Sequence, residues 1–365
     1  IILQKRRVFK CVLKITCRIR KNFLRRRVPL RKKARAAGKA AAISLQRAIY
    51  VVQYLYSARE AAARSNGVNM KKFVVSSDST CDFYAGYLRE RDVKVIAFPF
   101  VMELGGAVSE ESDAFTEYAQ YVDFYERERK GGLPRTSQIN FERHYEYFSG
   151  LVKEGASSIL HVSLSGGLSP TVNVAREAAA AVAKEHAGTE ILVVDSLSAT
   201  IGQGELVKEA LRLRDEGKTA QEAYERLNEM TRHIQHTIIA YDLNFLCRGG
   251  RVSRAAAIAG TMLSIKPVLT FTEDGKLTVI DKCRGMKGAF RYAVERINRA
   301  PRREGADWFH IVHTDAPKEA EQLADLLEQT FGVRAEISIM GPVIGAHVGP
   351  GSVSVVWESE GERIK

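Results

Sequence analysis

Small hydroxyl residues cluster where apolar runs end: Ser76-Ser77-Asp78-Ser79-Thr80, Ser163-Leu164-Ser165-Gly166-Gly167-Leu168-Ser169 and Asp195-Ser196-Leu197-Ser198, with Thr136-Ser137-Gln138 following Pro134. Hydroxyls and backbone N–H groups at glycine-rich turns are neutral donors, suited to a group of one negative charge such as a carboxylate. A polyphosphate would ask for a Walker loop, and no GxxxxGK[ST] occurs. His347, within Gly345-Ala346-His347-Val348-Gly349-Pro350-Gly351, reads as a tight glycine-flanked loop that lets an imidazole approach a ligand closely. Ser169 before Pro170 also fits a helix N-cap followed by a first-turn proline. Gly202-Gln203-Gly204 lacks the third glycine of a dinucleotide fingerprint and lies several residues past its strand, so it reads as a helix start. Ser165 has no GxSxG elbow around it. A small-molecule hydrolase or phosphotransferase acting from Ser165 and His347 stands as the alternative to a binding protein.

The elements that must position these residues alternate. Phe73–Ser77 reads as a strand, Asp82–Arg91 as a helix and Val93–Phe98 as a strand, followed by a helix-rich insertion to Arg129 and a helix over Phe141–Glu154. Ser158–Leu164, the Ala-rich helix Thr171–His186 and Ile191–Asp195 continue the series, which argues for βαβ units and a parallel sheet. In such a sheet the carboxyl ends of the strands converge on one crevice, and the hydroxyl clusters are expected to share it. Two amphipathic helices follow, Ile201–Glu216 and Ala220–Ile234. Then Val268–Phe271 and Leu277–Asp281 flank the turn Glu273-Asp274-Gly275, a hairpin signal that brings antiparallel pairing into the second half. Leu246-Cys247-Arg248-Gly249-Gly250-Arg251 reads as a turn before a helix from Ser253. Helices over Met286–Asn298 and Pro317–Thr330, with strands Phe309–His313, Ala335–Ile339 and Val353–Trp357, complete an α/β second domain. The expected division is a basic extension over 1–69, a first domain over 70–234 and a second over 235–365.

Charge divides at the same place. Of the 55 Lys and Arg, 19 precede residue 70, with Glu60 alone among the 43 acids; the remainder holds 36 basic and 42 acidic residues, a net of −6. The overall +12 therefore belongs to one segment, and a surface-wide nucleic-acid role loses its support. Met70 is the first methionine, and Lys71-Lys72-Phe73-Val74-Val75 runs from it straight into a strand. The leader reads as sequence ahead of the true start, against a nucleic-acid or membrane arm or an organelle transit peptide. The five cysteines, Cys11, Cys17, Cys81, Cys247 and Cys283, form no CxxC pair, which argues against a disulfide framework or zinc site and for a reducing, cytoplasmic location.

Together the motifs resemble one family. Asp78-Ser79, Thr136-Ser137-Gln138, Leu164-Ser165-x-x-Leu168-Ser169-x-Thr171, Val194-Asp195-Ser196, Gly249-Gly250-Arg251-Val252-Ser253, Ile265-Lys266-Pro267 and His347-Val348-Gly349-Pro350-Gly351 are similar, in order and spacing, to the DegV family of bacterial fatty-acid-binding proteins. The resemblance implies a Rossmann-like parallel-sheet first domain, a second α/β domain with a mixed or antiparallel sheet, and an acyl chain in a tunnel between them. It implies no cofactor, no metal and no catalytic residue. It places a long-chain fatty acid's carboxylate on Thr136, Ser165 and His347, with Ser137 and Ser169 nearby, and Arg251 and Arg284 at the head group or a docking face. It further implies a carrier like the FakB subunit of bacterial fatty acid kinase, whose partners are an ATP-dependent kinase and, transiently, an acyltransferase, with no nucleic acid. The chain departs from the family at Ser165-Gly166 and Ser169-Pro170-Thr171, and lacks the Tyr-x-Asp-Gly-like stretch between Gly105 and Lys130.

Overall fold

A computed structural model of the chain describes residues 72–253 and 264–364. The basic leader and the helix expected beyond Ser253 lie outside the described residues.

Val74–Asp78 forms strand β1, buried along most of its length. A 3-10 turn, Ser79–Cys81, follows, capped by the Asp78 side chain, which accepts from the Thr80 N–H at 3.2 Å. Helix α1 (Ala85–Glu90) and strand β2 (Lys94–Ile96) come next. The chain then builds a separate antiparallel sheet from β3 (Pro99–Leu104), β4 (Ala107–Ser112) and, after helix α2 (Tyr118–Arg129), β5 (Leu133–Thr136). The expectation of a helix-rich insertion is thus corrected: only its second half is helical. Gly105 and Gly106, at φ +60° and +82°, supply the two left-handed residues of a tight hairpin turn, a local signal that outweighs helical composition.

Helix α3 (Phe141–Lys153), strand β6 (Ser158–Ser163), helix α4 (Thr171–Glu185) and strand β7 (Glu190–Asp195) complete a parallel sheet in the order β2-β1-β6-β7. Helices α5 (Ile201–Asp215) and α6 (Ala220–Met230) lead out of it. The second sheet begins at once with β8 (Ile234–Ile239), which the helical reading of Ala220–Ile234 overlooked. It is a central strand, buried throughout, whose polar residues find internal partners: Gln235 donates to Ser359 Oγ at 2.8 Å, and Arg296 donates to Thr237 Oγ1 at 3.2 Å. Buried polar residues broke the apolar run by which a strand is recognised.

After α7 (Asn244–Arg248) come the hairpin β9 (Ile265–Phe271) and β10 (Leu277–Arg284), then α8 (Gly285–Arg299), β11 (His310–His313), α9 (Pro317–Phe331), β12 (Glu336–Ile339), α10 (Pro342–Val348) and β13 (Val353–Glu358). The order is β10-β9-β8-β13-β11-β12, antiparallel except for the β11–β12 pair. The protein is therefore α/β, with a parallel-sheet first domain and a mixed second sheet, as the sequence led us to expect.

Helix α5 joins the two halves. Val75, Leu160 and Val162 of the first sheet share one apolar cluster with Leu206, Val207 and Ala210 of α5 and with Leu269, Val312 and Val356 of the second. Its glycines serve this packing. A Cβ at Gly202 would lie 2.3 Å from Ser198 Oγ, and one at Gly204 2.6 Å from the Cys81 carbonyl. No helix among the described residues is long and apolar enough to cross a membrane.

Candidate functional site

Most hydroxyls at the ends of the parallel strands are used internally. Ser76 Oγ lies 2.8 Å from both Tyr147 OH and His161 Nδ1, Ser77 donates to the Val162 carbonyl at 2.8 Å, and Ser163 donates to Asp78 Oδ2 at 3.1 Å. Ser198 Oγ bonds His236 Nε2 at 2.6 Å. Ser165 is fully buried; its hydroxyl donates to the Gly275 carbonyl at 2.8 Å and accepts from the Gly167 N–H at 3.1 Å. It therefore ties the loop after β6 to the turn of the β9–β10 hairpin and does not line the cavity described next. The expectation that all four clusters share one crevice is corrected to two of them.

Those two are Thr136-Ser137-Gln138, which leaves the end of β5, and Ser169. They line a cavity of about 260 Å³ together with Leu164, Leu168, Leu246, Leu277, Arg251 and, from α10, Val343, Ile344, His347 and Val348. Ser169 Oγ bonds Thr171 Oγ1 at 2.9 Å and accepts from the Thr171 N–H at 3.3 Å, so the serine loop closes on the first turn of α4 one residue later than a Ser169 N-cap implies. Leu168, Leu246, Leu277, Ile344 and Val348 continue into a narrow apolar extension of about 30 Å³, bounded by Ile238, Leu269, Phe271 and Met340.

His347 stands on helix α10 rather than in a loop. Gly341 is extended ahead of Pro342, which starts the helix, and Gly349 at φ +73° ends it. Its Nε2 lies 2.8 Å from Thr136 Oγ1 in a hydrogen bond, while its Nδ1 is buried without a partner. Burial, with the cations of Arg251 and Arg248 adding to it, pushes the imidazole pKa down to about 4, so the ring is neutral at pH 7 and one nitrogen carries a proton to donate. A Cβ at Gly249 would sit 2.1 Å from His347 Nδ1. Gly249→Ala should therefore displace the ring and break the Thr136–His347 bond, read as a shifted His347 ring resonance in an NMR spectrum; an unchanged resonance would count against this packing.

On the other side of Thr136 and His347 lies an outer hollow of about 310 Å³, lined by Arg135, Arg248 and Arg251. Arg251 donates through Nε to the Leu168 carbonyl at 3.4 Å and through a second nitrogen to the Gly249 carbonyl. Arg248 lies over the Phe245 ring, 4.7 Å from its centroid. Arg284 is brought to neither space; it is exposed at the end of β10, at the N-cap of α8. Sequence reading missed Arg135, Arg248, Val343 and Ile344. Val343, Ile344, His347 and Val348 have helical spacing, a signal hidden once the segment was taken as a loop.

Two other arrangements are accounted for. Ser165 and His347 do not form a nucleophile–base pair, because each is bonded elsewhere. Glu205, His310 and Glu336 bring possible metal-ligand atoms within 4.8 Å of one another, but the Lys208 ammonium lies 3.0 Å from Glu205 and 2.8 Å from Glu336 and fills the cation position.

Fold and site define a class: an α/β protein with an amphipathic cavity lined from both its parallel and its mixed sheet. The family model described as "Uncharacterised protein, DegV family" matches residues 72–360, and the chain belongs to the DegV family. A DegV domain-containing protein of Clostridium perfringens is 31% identical over 296 residues, 79% of this chain and 98% of the relative. A DegV lipid-binding protein of Thermotoga maritima superposes with a TM-score of 0.68 at 28% identity, covering 80% of this chain and 99% of that one. A DegV family protein of Thermus thermophilus, described by its fatty acid binding, gives 0.67 at 27%, covering 79% and 99%.

Proposed function

We propose that this chain binds one long-chain fatty acid, with the acyl chain running into the apolar extension and the carboxylate at Thr136, Ser137, Ser169 and His347. The observation that carries the reading is the order of environments along one path: apolar residues, then hydroxyls and a neutral imidazole, then arginines. Each methylene withdrawn from water contributes about 0.8 kcal/mol, so the chain supplies affinity and the few donors fix its end. The extension is small, and an acyl chain fills it by displacing adaptable side chains such as Met340. The lipid binding of the Thermotoga relative and the fatty acid binding of the Thermus relative support the assignment.

The finer part of the proposal is a carrier role in the cytoplasm. The arginine-lined hollow leaves room beside the carboxylate for a phosphate, which Arg251 and Arg248 would stabilise. Phosphorylation belongs to a partner ATP-dependent fatty acid kinase, after which the acyl phosphate passes to an acyltransferase. Arg251, at the cavity mouth, suits the docking face better than the distant turn of Arg284.

Protein purified from a bacterial host and extracted with organic solvent should release a long-chain fatty acid near one equivalent by mass spectrometry. A protein that carries no acyl chain, and takes up none when it is offered, would sink the proposal.

A further inference from the structure

Two buried carboxyl groups outside the cavity converge on the helix that carries His347. Asp82 and Asp113 are each 7% exposed, and among the described residues no side chain donates to Asp82 or to Oδ2 of Asp113, the backbone N–H of Gly341 alone facing the Asp82 carboxyl. A Cβ on Gly341 would lie 2.6 Å from Asp82 Oδ1 and 3.3 and 3.5 Å from the two Asp113 oxygens. Both groups thus press on the residue from which α10 departs. One residue earlier, the Tyr125 hydroxyl donates to the Met340 carbonyl at 2.8 Å.

Among the described residues no cationic side chain balances them. The groups that bear on the pair are Asp78 of β1, Ser79 and Cys81 of the 3-10 turn, and Tyr121 and Tyr125 of α2, all neutral or acidic. No ion pair reaches either carboxyl among the described residues. Two carboxylates in such surroundings cannot both stay ionised cheaply. Burial foremost, with Asp78 adding to it, pushes Asp113 up to about 7 against the opposing Ser79 hydroxyl. Burial and then Asp113 hold Asp82 well above the usual carboxylate range, partly offset by the Gly341 N–H.

We propose that Asp82 and Asp113 are positioning residues that hold a shared proton, and that this protonated pair seats Gly341, sets α10 and so fixes His347 against Thr136. Loss of the proton leaves two like charges under the start of the helix, and α10 loosens. The link to ligand retention rests on the fatty-acid reading above. The shared proton does not.

The sign follows from the raised pKa values. A group that binds its proton more tightly when folded contributes stability that is fully present below the unfolded carboxyl pKa, about 4, and lost as pH rises through the folded value. For Asp113 that window runs from about 4 to about 7. Asparagine at either position supplies an N–H that does not titrate.

Thermal midpoints and affinity for a fluorescent long-chain fatty acid should be measured from pH 5.5 to 8.5 for the wild type, Asp82→Asn, Asp113→Asn and the double variant that carries both. His347 titrates near 4, below this range. From pH 5.5 to 8.5 the wild type should lose several degrees, and several-fold in affinity, relative to the double variant, with each single variant in between because it keeps one buried carboxyl; Glu128, which burial pushes up to about 8, is common to all four, so the difference between profiles reads the pair. Parallel profiles would overturn the proposal. Should the double variant not fold, carbon NMR of labelled aspartate in the wild type decides: a protonated buried carboxyl at pH 6 supports it, and two ionised ones overturn it. A pH-dependent midpoint in a protein that binds no fatty acid would sink the fatty-acid reading alone.

Discussion

His347→Ala should weaken binding of a long-chain fatty acid by about 10- to 100-fold, because a hydrogen bond to a charged group contributes about 1.5–3 kcal/mol and each 1.4 kcal/mol is a factor of ten. The reason is specific to this site. His347 is neutral, its Nε2 is aligned by Thr136 Oγ1 at 2.8 Å, and the ring lines the cavity beside the hydroxyls of Ser137 and Ser169. Thr136→Val should give a loss of similar direction by removing both a donor and the partner that orients the ring. The loss should be the same for short and long acyl chains, since the methylene contribution is untouched. Titration calorimetry with fatty acids of two lengths checks this. Unchanged affinity, or a loss that grows with chain length, would place the carboxylate elsewhere.

The second large effect concerns the lock between the two halves. A Cβ at Gly167 would stand 2.4 and 2.5 Å from the Gly275 carbonyl carbon and oxygen and 2.6 Å from the Asp274 carbonyl oxygen. Every contact is backbone, so no side chain can turn aside. Gly167→Ala should destabilise the protein by about 1–3 kcal/mol, the usual range for overpacking, and lower the melting temperature by several degrees. It should also free the Ser165 hydroxyl, which accepts from the Gly167 N–H and donates to Gly275. Gly86→Ala is the control: nothing lies within 4 Å of a Cβ there, and α1 gains a better helix former. If the two variants melt alike, the loop after β6 does not lock onto the hairpin.

The parallel sheet was legible because three of its four strands are apolar runs that end at small hydroxyl residues, a pattern that survives without neighbours in view. The hairpin at Gly105-Gly106 was legible in principle; its two glycines were outweighed by the helical composition of the residues after them. β8 was hidden, since Gln235, His236 and Thr237 find partners only once Ser198, Ser359 and Arg296 arrive from distant parts of the chain. The candidate site was half legible. Thr136, Ser137, Ser169, Arg251 and His347 meet at one cavity, but Ser165 could be removed from it only by seeing the carbonyl of Gly275, 110 residues away, accept its hydrogen bond. Hydroxyls that serve a ligand and hydroxyls that serve the fold look the same in one dimension.

Helix α10 has a further consequence. Of its seven residues, Pro342-Val343-Ile344-Gly345-Ala346-His347-Val348, three are β-branched and one is glycine, and a helix this short has no standing in water by itself. Its back is glycine at 341, 345 and 349, pressed against Asp82 and Asp113, the Tyr125 hydroxyl and the Phe245 ring. The segment that carries His347 therefore borrows its stability from tertiary contact. With five of its seven residues buried, its amide hydrogens should exchange together with those of the elements that hold it rather than ahead of them.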